Sequence, residues 1–264
     1  MSQTQAAPHI TGKMFLFEKP ELLNIEQHRD LGVGPAPKPF QFCSKIRAVP
    51  LTISEIVEAS KNYPVIFMSE QDPVPLAVVG LHSDFNLFVD DDGNWEQGAY
   101  IPGYIRRYPF ALAGESGGDR MALVIDSAYE GVSANGSLKL FDNGQMGEFV
   151  KQAMEFARVY ESDKRLTEQV MAGLKEFEII RTQTAQFTPT GGSEPRPFAQ
   201  YAGVDEQKLR EIPDDRFLEL RRRNVLPILY AHLISLGNWR SLLMRRMRRF
   251  NLSETEAIGA PTIS

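Results

Sequence analysis

Cysteine is almost missing from this chain. Cys43 is the single one in 264 residues, which excludes an intramolecular disulfide and a zinc site built from several thiolates, and suits a reducing compartment. Long apolar runs are missing too: none approaches the roughly 18 residues that a membrane-spanning helix requires. The opening MSQTQAAPHITGKMF has no basic start followed by an apolar segment, so no classical secretory signal is visible and a cytoplasmic location is expected. No Gly-x-x-x-x-Gly-Lys loop is present. GVGP, residues 32–35, lacks the further glycine and the following helix of a dinucleotide fingerprint, so nucleotide hydrolysis and dinucleotide binding have no support. There is no internal repeat and no low-complexity block.

What is there suffices for an ordinary globular protein. Apolar residues make up 42% of the chain and charged ones 24%, enough to bury a sizeable core. The net charge is −5, unevenly spread: from Arg216 to Phe250 nine arginines face one acid, Glu219, a net +8 that leaves −13 to the remainder. Such polarity either directs an acidic partner to the C-terminal end or draws the two regions together. The overall excess of acid argues against general nucleic-acid binding.

Periodicity indicates an α+β fold, with a mostly antiparallel sheet and a packed helix in the N-terminal half and a helical C-terminal half. A mobile N-terminus over 1–14 is expected to precede a single domain over 15–250, β-rich over 15–145 and helix-rich over 146–250, with a flexible tail over 251–264. PVIFM, LAVVGL, NLFVD and RMALVID read as short strands, and ISEIVEASKNY as a helix capped by Thr52 or Ser54. Phe141-Asp142-Asn143-Gly144 is a turn signal. From Met146 to about Arg181 an apolar helical stripe shifts near Ser162, where a kink or break is expected. TAQFTPTGGSEPRPFAQYAGV reads as a hairpin or as a loop reaching back to the first half. The final helix starts near Pro227, a residue suited to a first turn.

Three constellations invite a chemical reading. GESGG, residues 114–118, matches Gly-x-Ser-x-Gly, but RMALVID after it reads as a strand where a nucleophile elbow needs a helix, so a loop is expected. The Asp90–Gly93 cluster fails as a calcium loop: with Gly93 at the sixth position, Phe88 falls at the first ligand and Ala99 at the twelfth, so it is a turn. His28-Arg29-Asp30 has the His-x-Asp spacing of a facial triad, and His232 is available as a third ligand for iron or another divalent metal. His82-Ser83-Asp84 repeats that spacing. Against the metal stands a plain alternative, since on a helical wheel His232 lies near the arc of Leu229, Leu233, Leu236 and Leu243, where a hydrogen-bonded buried histidine is expected. No cofactor is predicted apart from that alternative.

Two segments look like surfaces. In Leu87–Ala113, Asp92 and Gly93 form a hairpin signal, and Trp95, Tyr100, Tyr104, Arg106, Arg107 and Tyr108 are residue types that anchor interfaces, so they are candidates for binding another protein. The last helix sets an apolar stripe against Arg240, Arg245, Arg246, Arg248 and Arg249, which face either solvent or an anionic membrane surface. Homo-oligomerisation is compatible with either surface.

The blocks NIEQHRDL (24–31), Leu87–Ala113 and YAHLISLGNWRSLL (230–243) together resemble the bacterial SapC family, over about Phe15 to Leu243. The family is named after a surface-layer-associated protein. The resemblance implies an accessory, protein-binding role linked to surface-layer or outer-membrane processes. The competing reading is a metal-dependent enzyme using His28, Asp30 and His232, and a third is peripheral membrane binding through the last helix.

Overall fold

A computed structural model describes residues 14–82, 85–114 and 121–259. Residues 1–13 of the expected mobile N-terminus, residues 115–118 of the Gly-x-Ser-x-Gly match, and Ser83 and Asp84 lie outside them. In chain order the strands of three or more residues are β1 (Pro20–Leu22), β2 (Ala48–Pro50), β3 (Val65–Phe67), β4 (Pro75–Val78), β5 (Phe110–Gly114), β6 (Met121–Asp126), β7 (Ile180–Phe187) and β8 (Arg196–Val204). Helices of five or more residues are α1 (Glu148–Leu174), α2 (Glu206–Arg210), α3 (Asp214–Arg222), α4 (Leu226–Ser235), α5 (Asn238–Phe250) and α6 (Glu254–Ile258). The fold is α+β and its strand pairs are antiparallel. No helix among the described residues is long and apolar enough to cross a membrane.

Two compact units form, one from Met1–Cys43, Asp91–Asn94 and Ile105–Ser162, the other from Ser44–Asp90, Trp95–Tyr104 and Asp163–Ser264. The division ignores the β-rich and helix-rich halves expected around residue 146, because each unit recruits distant stretches of chain. The helix α1 shows the difference locally. It runs unbroken through Ser162, where a kink was expected, and the shift of its apolar stripe falls where the helix passes from the first unit to the second.

In the first unit the sheet order is β1-β6-β5. Val33, Phe110, Leu112, Leu123, Ile125, Leu140, Val150 and Ala157 form its core, with Val150 and Ala157 contributed by one face of α1. The predicted turn after Phe141 closes a two-residue hairpin, with Asn143 and Gly144 at φ +48° and +78°, the left-handed pair that such a turn requires. Asp126 is fully buried, and its carboxylate accepts from the backbone N–H groups of Glu18, Lys19 and Ala128 and from the Tyr108 hydroxyl. A buried charge is tolerated here because it is hydrogen-bonded on all sides.

The second unit is built on a five-stranded sheet in the order β7-β8-β3-β4-β2. The Gly/Pro-rich segment therefore forms the end of β7, the turn and all of β8 in a hairpin, the longest strand pair among the described residues, and β8 joins the N-terminal strands through Ala202 opposite Phe67. Of the predicted N-terminal strands, NLFVD does not form; it contributes a single bridge, Val89 to Trp95, across a turn in which Gly93 has φ +74°. Thr52 caps the next segment in a capping box with Glu55, whose carboxylate also accepts from the Tyr100 hydroxyl and the Gly103 N–H. Residues expected to form a flexible tail instead include α6, which buries Ala257 and Ile258 and carries its own capping box at Ser253 and Glu256.

Candidate docking face on the last helices

The single final helix read from the sequence is two. α4 starts with Pro227 in its first turn, where a missing N–H costs nothing, and ends before Leu236 and Gly237. Both joint residues keep right-handed helical backbone angles, and the bonds across the joint tighten to three residues, from Leu236 to Leu233, Gly237 to Ile234 and Trp239 to Leu236. The helical path thus continues into α5 with one tightened turn.

The inner face is anchored by polar groups as well as apolar ones. Ile228, Leu229, Ala231 and Ser235 are buried on α4, and Trp239, Leu242 and Leu243 on α5, with Trp239 edge-on to Phe198 at 5.7 Å. His232 is fully buried. Its Nδ1 lies 2.7 Å from the Val65 carbonyl and its Nε2 accepts the Val204 N–H at 2.9 Å, so Nδ1 carries the proton in the neutral ring. Burial lowers its pKa to about 4, against the opposing pull of the Val65 carbonyl. Gly203 leaves room for this ring: a Cβ there would lie 3.1 Å from it and 2.7 Å from the Tyr201 ring.

The five arginines of α5 divide by direction. Arg245 pairs with Glu96 and lies 4.4 Å over the Phe88 ring. Arg246 donates to the carbonyls of Glu256 and Ala257, at the C-terminal end of α6 where a cation complements the helix dipole; burial lowers its pKa. Arg249 donates to the Val89 carbonyl. Arg240 and Arg248 point outward on either side of Met244, one turn away each, and Met244 is half exposed.

On α4 the outward residues are Pro227, Tyr230 and Ile234, with Tyr230 47% and Ile234 75% exposed. A depression of about 260 Å³ opens beside Tyr230, lined by Leu209, Ile212, Phe217 and Leu233 with Glu206, Arg210 and Asp214. The sequence places the apolar residues of this helix in one stripe, which either closes the core or enters a bilayer surface. The overlooked signal is that apolar residues surround α4, more than burying one face can use; Tyr230 and Ile234 sit well round the wheel from Leu229 and Leu233.

The aromatic block is largely interior. Trp95 is 8% exposed and stacked against Phe88. Arg107 is 7% exposed, paired with Glu161 at 3.1 Å and set over the Tyr160 ring at 4.8 Å. Tyr108 stacks on Phe42 at 3.7 Å between centroids, and burial together with Asp126 pushes its pKa up. Tyr100 is half-buried and committed to Glu55, Tyr104 is half-buried, and Arg106 is exposed with its guanidinium over Phe156. Trp95 and Arg107, expected at a partner surface, therefore serve the cores instead; large rings and a guanidinium with a carboxylate partner fill an interior as well as an interface.

Of the residues in the alternative metal reading, the two histidines are each held by other contacts. His232 has both ring nitrogens committed to backbone groups, leaving no lone pair for an ion without unfolding that contact. His28 is buried with Nδ1 3.0 Å from the Asn24 carbonyl and Nε2 3.3 Å from Glu21, while Asp30 is exposed. Among the described residues no group of three or more His, Cys, Asp or Glu is placed to hold a metal ion.

Comparison with curated proteins and with solved structures finds no match. A family model described as SapC matches residues 23–242, most of the chain, and the chain belongs to the SapC family.

Proposed function

We propose that this chain is a non-catalytic binding protein that docks on its partner through the outer face of α4 and α5. The exposure of Ile234 and Tyr230, one turn apart beside a depression lined by both apolar and charged side chains, carries this reading. Single exposed apolar residues are ordinary on a soluble protein, but a contiguous strip next to a groove marks an interaction site. The engagement of His232, His28, Glu55 and Asp126 in structural hydrogen bonds supports a scaffold in preference to a reactive centre. The association with surface-layer or outer-membrane processes that we attach to this role draws on the family resemblance.

A photoreactive benzoylphenylalanine placed at Ile234 tests the docking face in living cells. Val159 on α1, 59% exposed, serves as the control position. A discrete adduct, with protein or with lipid by mass, is expected from position 234 and not from 159. No adduct at 234, or the same products from both positions, refutes the docking face.

A further inference from the structure

We infer that the partner of this face is an anionic phospholipid bilayer, a reading that rests on the docking face proposed above. The first observation is one of charge. From Val225 to Phe250 the chain has no Asp or Glu and five arginines, and the fold sorts those arginines by destination. Arg245, Arg246 and Arg249 are turned to Glu96, to the end of α6 and to Val89, whereas Arg240 and Arg248 are left facing outward. Along α4 and α5 a negative surface meets two guanidinium groups and no carboxylate, while Glu206 and Asp214 lie with Arg210 at the depression beside Tyr230.

The second observation is the order of residues along the strip. Pro227, Tyr230 and Ile234 recur at helical intervals on the exposed side of α4, and Arg240, Met244 and Arg248 on the exposed side of α5, with a six-residue step between the two sets across the tightened turn at Leu236 and Gly237. At 1.5 Å per residue the strip is about 30 Å long. Its first half is apolar with a phenolic tip, and its second half is a thioether between two arginines. Ile234 and Met244 suit the boundary between headgroups and acyl chains, the Tyr230 hydroxyl suits the headgroup level, and the arginines suit the phosphates.

The third observation is shape. A strip one helix wide, about 10 Å by 30 Å, offers roughly 300 Å², well under the roughly 800 Å² per partner of a standard protein interface. A rigid protein surface also has to match the outline of the strip, whereas a layer of headgroups deforms around it. Since Trp239, Leu242, Leu243 and His232 stay in the core, the association is shallow and reversible, with no helix leaving the protein.

The test is flotation of the full-length protein with vesicles of phosphatidylglycerol and phosphatidylethanolamine, and with pure phosphatidylcholine, at low salt. Binding to the anionic vesicles alone is expected. Each outward arginine contributes roughly fivefold to the partition, so R240A/R248A is expected to lose about 25-fold, and Ile234→Ser about tenfold from its lost apolar burial. The double variant K151A/K164A removes the same charge from exposed positions on α1 and is expected to bind as the parent does. Failure of the parent to float, retention of binding by R240A/R248A, or an equal loss in K151A/K164A overturns the bilayer as partner. If the parent fails to float while position 234 still yields a discrete protein adduct, the docking face stands and its lipid occupant falls.

Discussion

His232 ties stability to pH in a way that can be worked out from its surroundings. Its folded pKa of about 4 lies below the value of about 6.5 expected in an unfolded chain. Above pH 6.5 the ring is neutral in both states and contributes no pH dependence. As pH falls, the unfolded state takes up the proton first, so stability drops from about pH 6.5 and the drop is complete near pH 4, at a limiting slope of about 1.4 kcal/mol per pH unit. Between pH 7.5 and pH 5 this one group is expected to remove about 2 kcal/mol. Urea unfolding of the parent and of His232→Gln at pH 7.5, 6 and 5 isolates the effect. His82, whose pKa is also lowered by burial and by Arg246, is present in both proteins and cancels in the comparison. The variant is expected to be less stable at pH 7.5, because the Val65 carbonyl and Val204 N–H lose well-placed partners, yet flatter with pH by about 2 kcal/mol over that range. Parallel pH profiles for parent and variant would refute the assignment of a neutral, doubly hydrogen-bonded ring.

Two further outcomes follow from buried groups. Replacing Asp126 by Ala strands three backbone N–H groups and the Tyr108 hydroxyl and is expected to cost about 3 kcal/mol or more, read as a lowered urea midpoint. Trp95→Ala is expected to destabilise by about 3 kcal/mol because it empties a buried site against Phe88. Arg106→Ala, at an exposed neighbouring position, is expected to shift the same midpoint by under about 0.5 kcal/mol. Equal effects of these two changes would contradict the division of the block into interior and surface.

Local signals were legible where the chemistry is local. The Thr52 cap, the turns at Asp92-Gly93 and Asn143-Gly144, the helical start at Pro227 and the strands PVIFM, LAVVGL and RMALVID depend on neighbouring residues, and the structure contains each of them. NLFVD reads as a strand by composition, but its backbone bonds go to scattered partners, Asn86 to Ser44, Leu87 to Val79 and Val89 back to Asn86, so no ladder forms among the described residues. The shift of its stripe predicts a break in α1, and a stripe shifts equally well when one unbroken helix contributes residues to two units.

Sequence alone settled the class of the fold, the family, and the concentration of arginine near the C-terminal end, since composition, motif order and periodicity are properties of the chain itself. Tertiary structure decided what each polar or aromatic residue is for. Trp95, Arg107 and His232 have the same chemistry in a core as at a site, and it is the arrival of Phe88, Glu161, and the Val65 and Val204 backbone from far along the chain that commits them to the interior. The same packing leaves Tyr230, Ile234, Arg240 and Arg248 facing outward, a distinction that no spacing rule carries because it depends on which side of a helix the rest of the protein occupies.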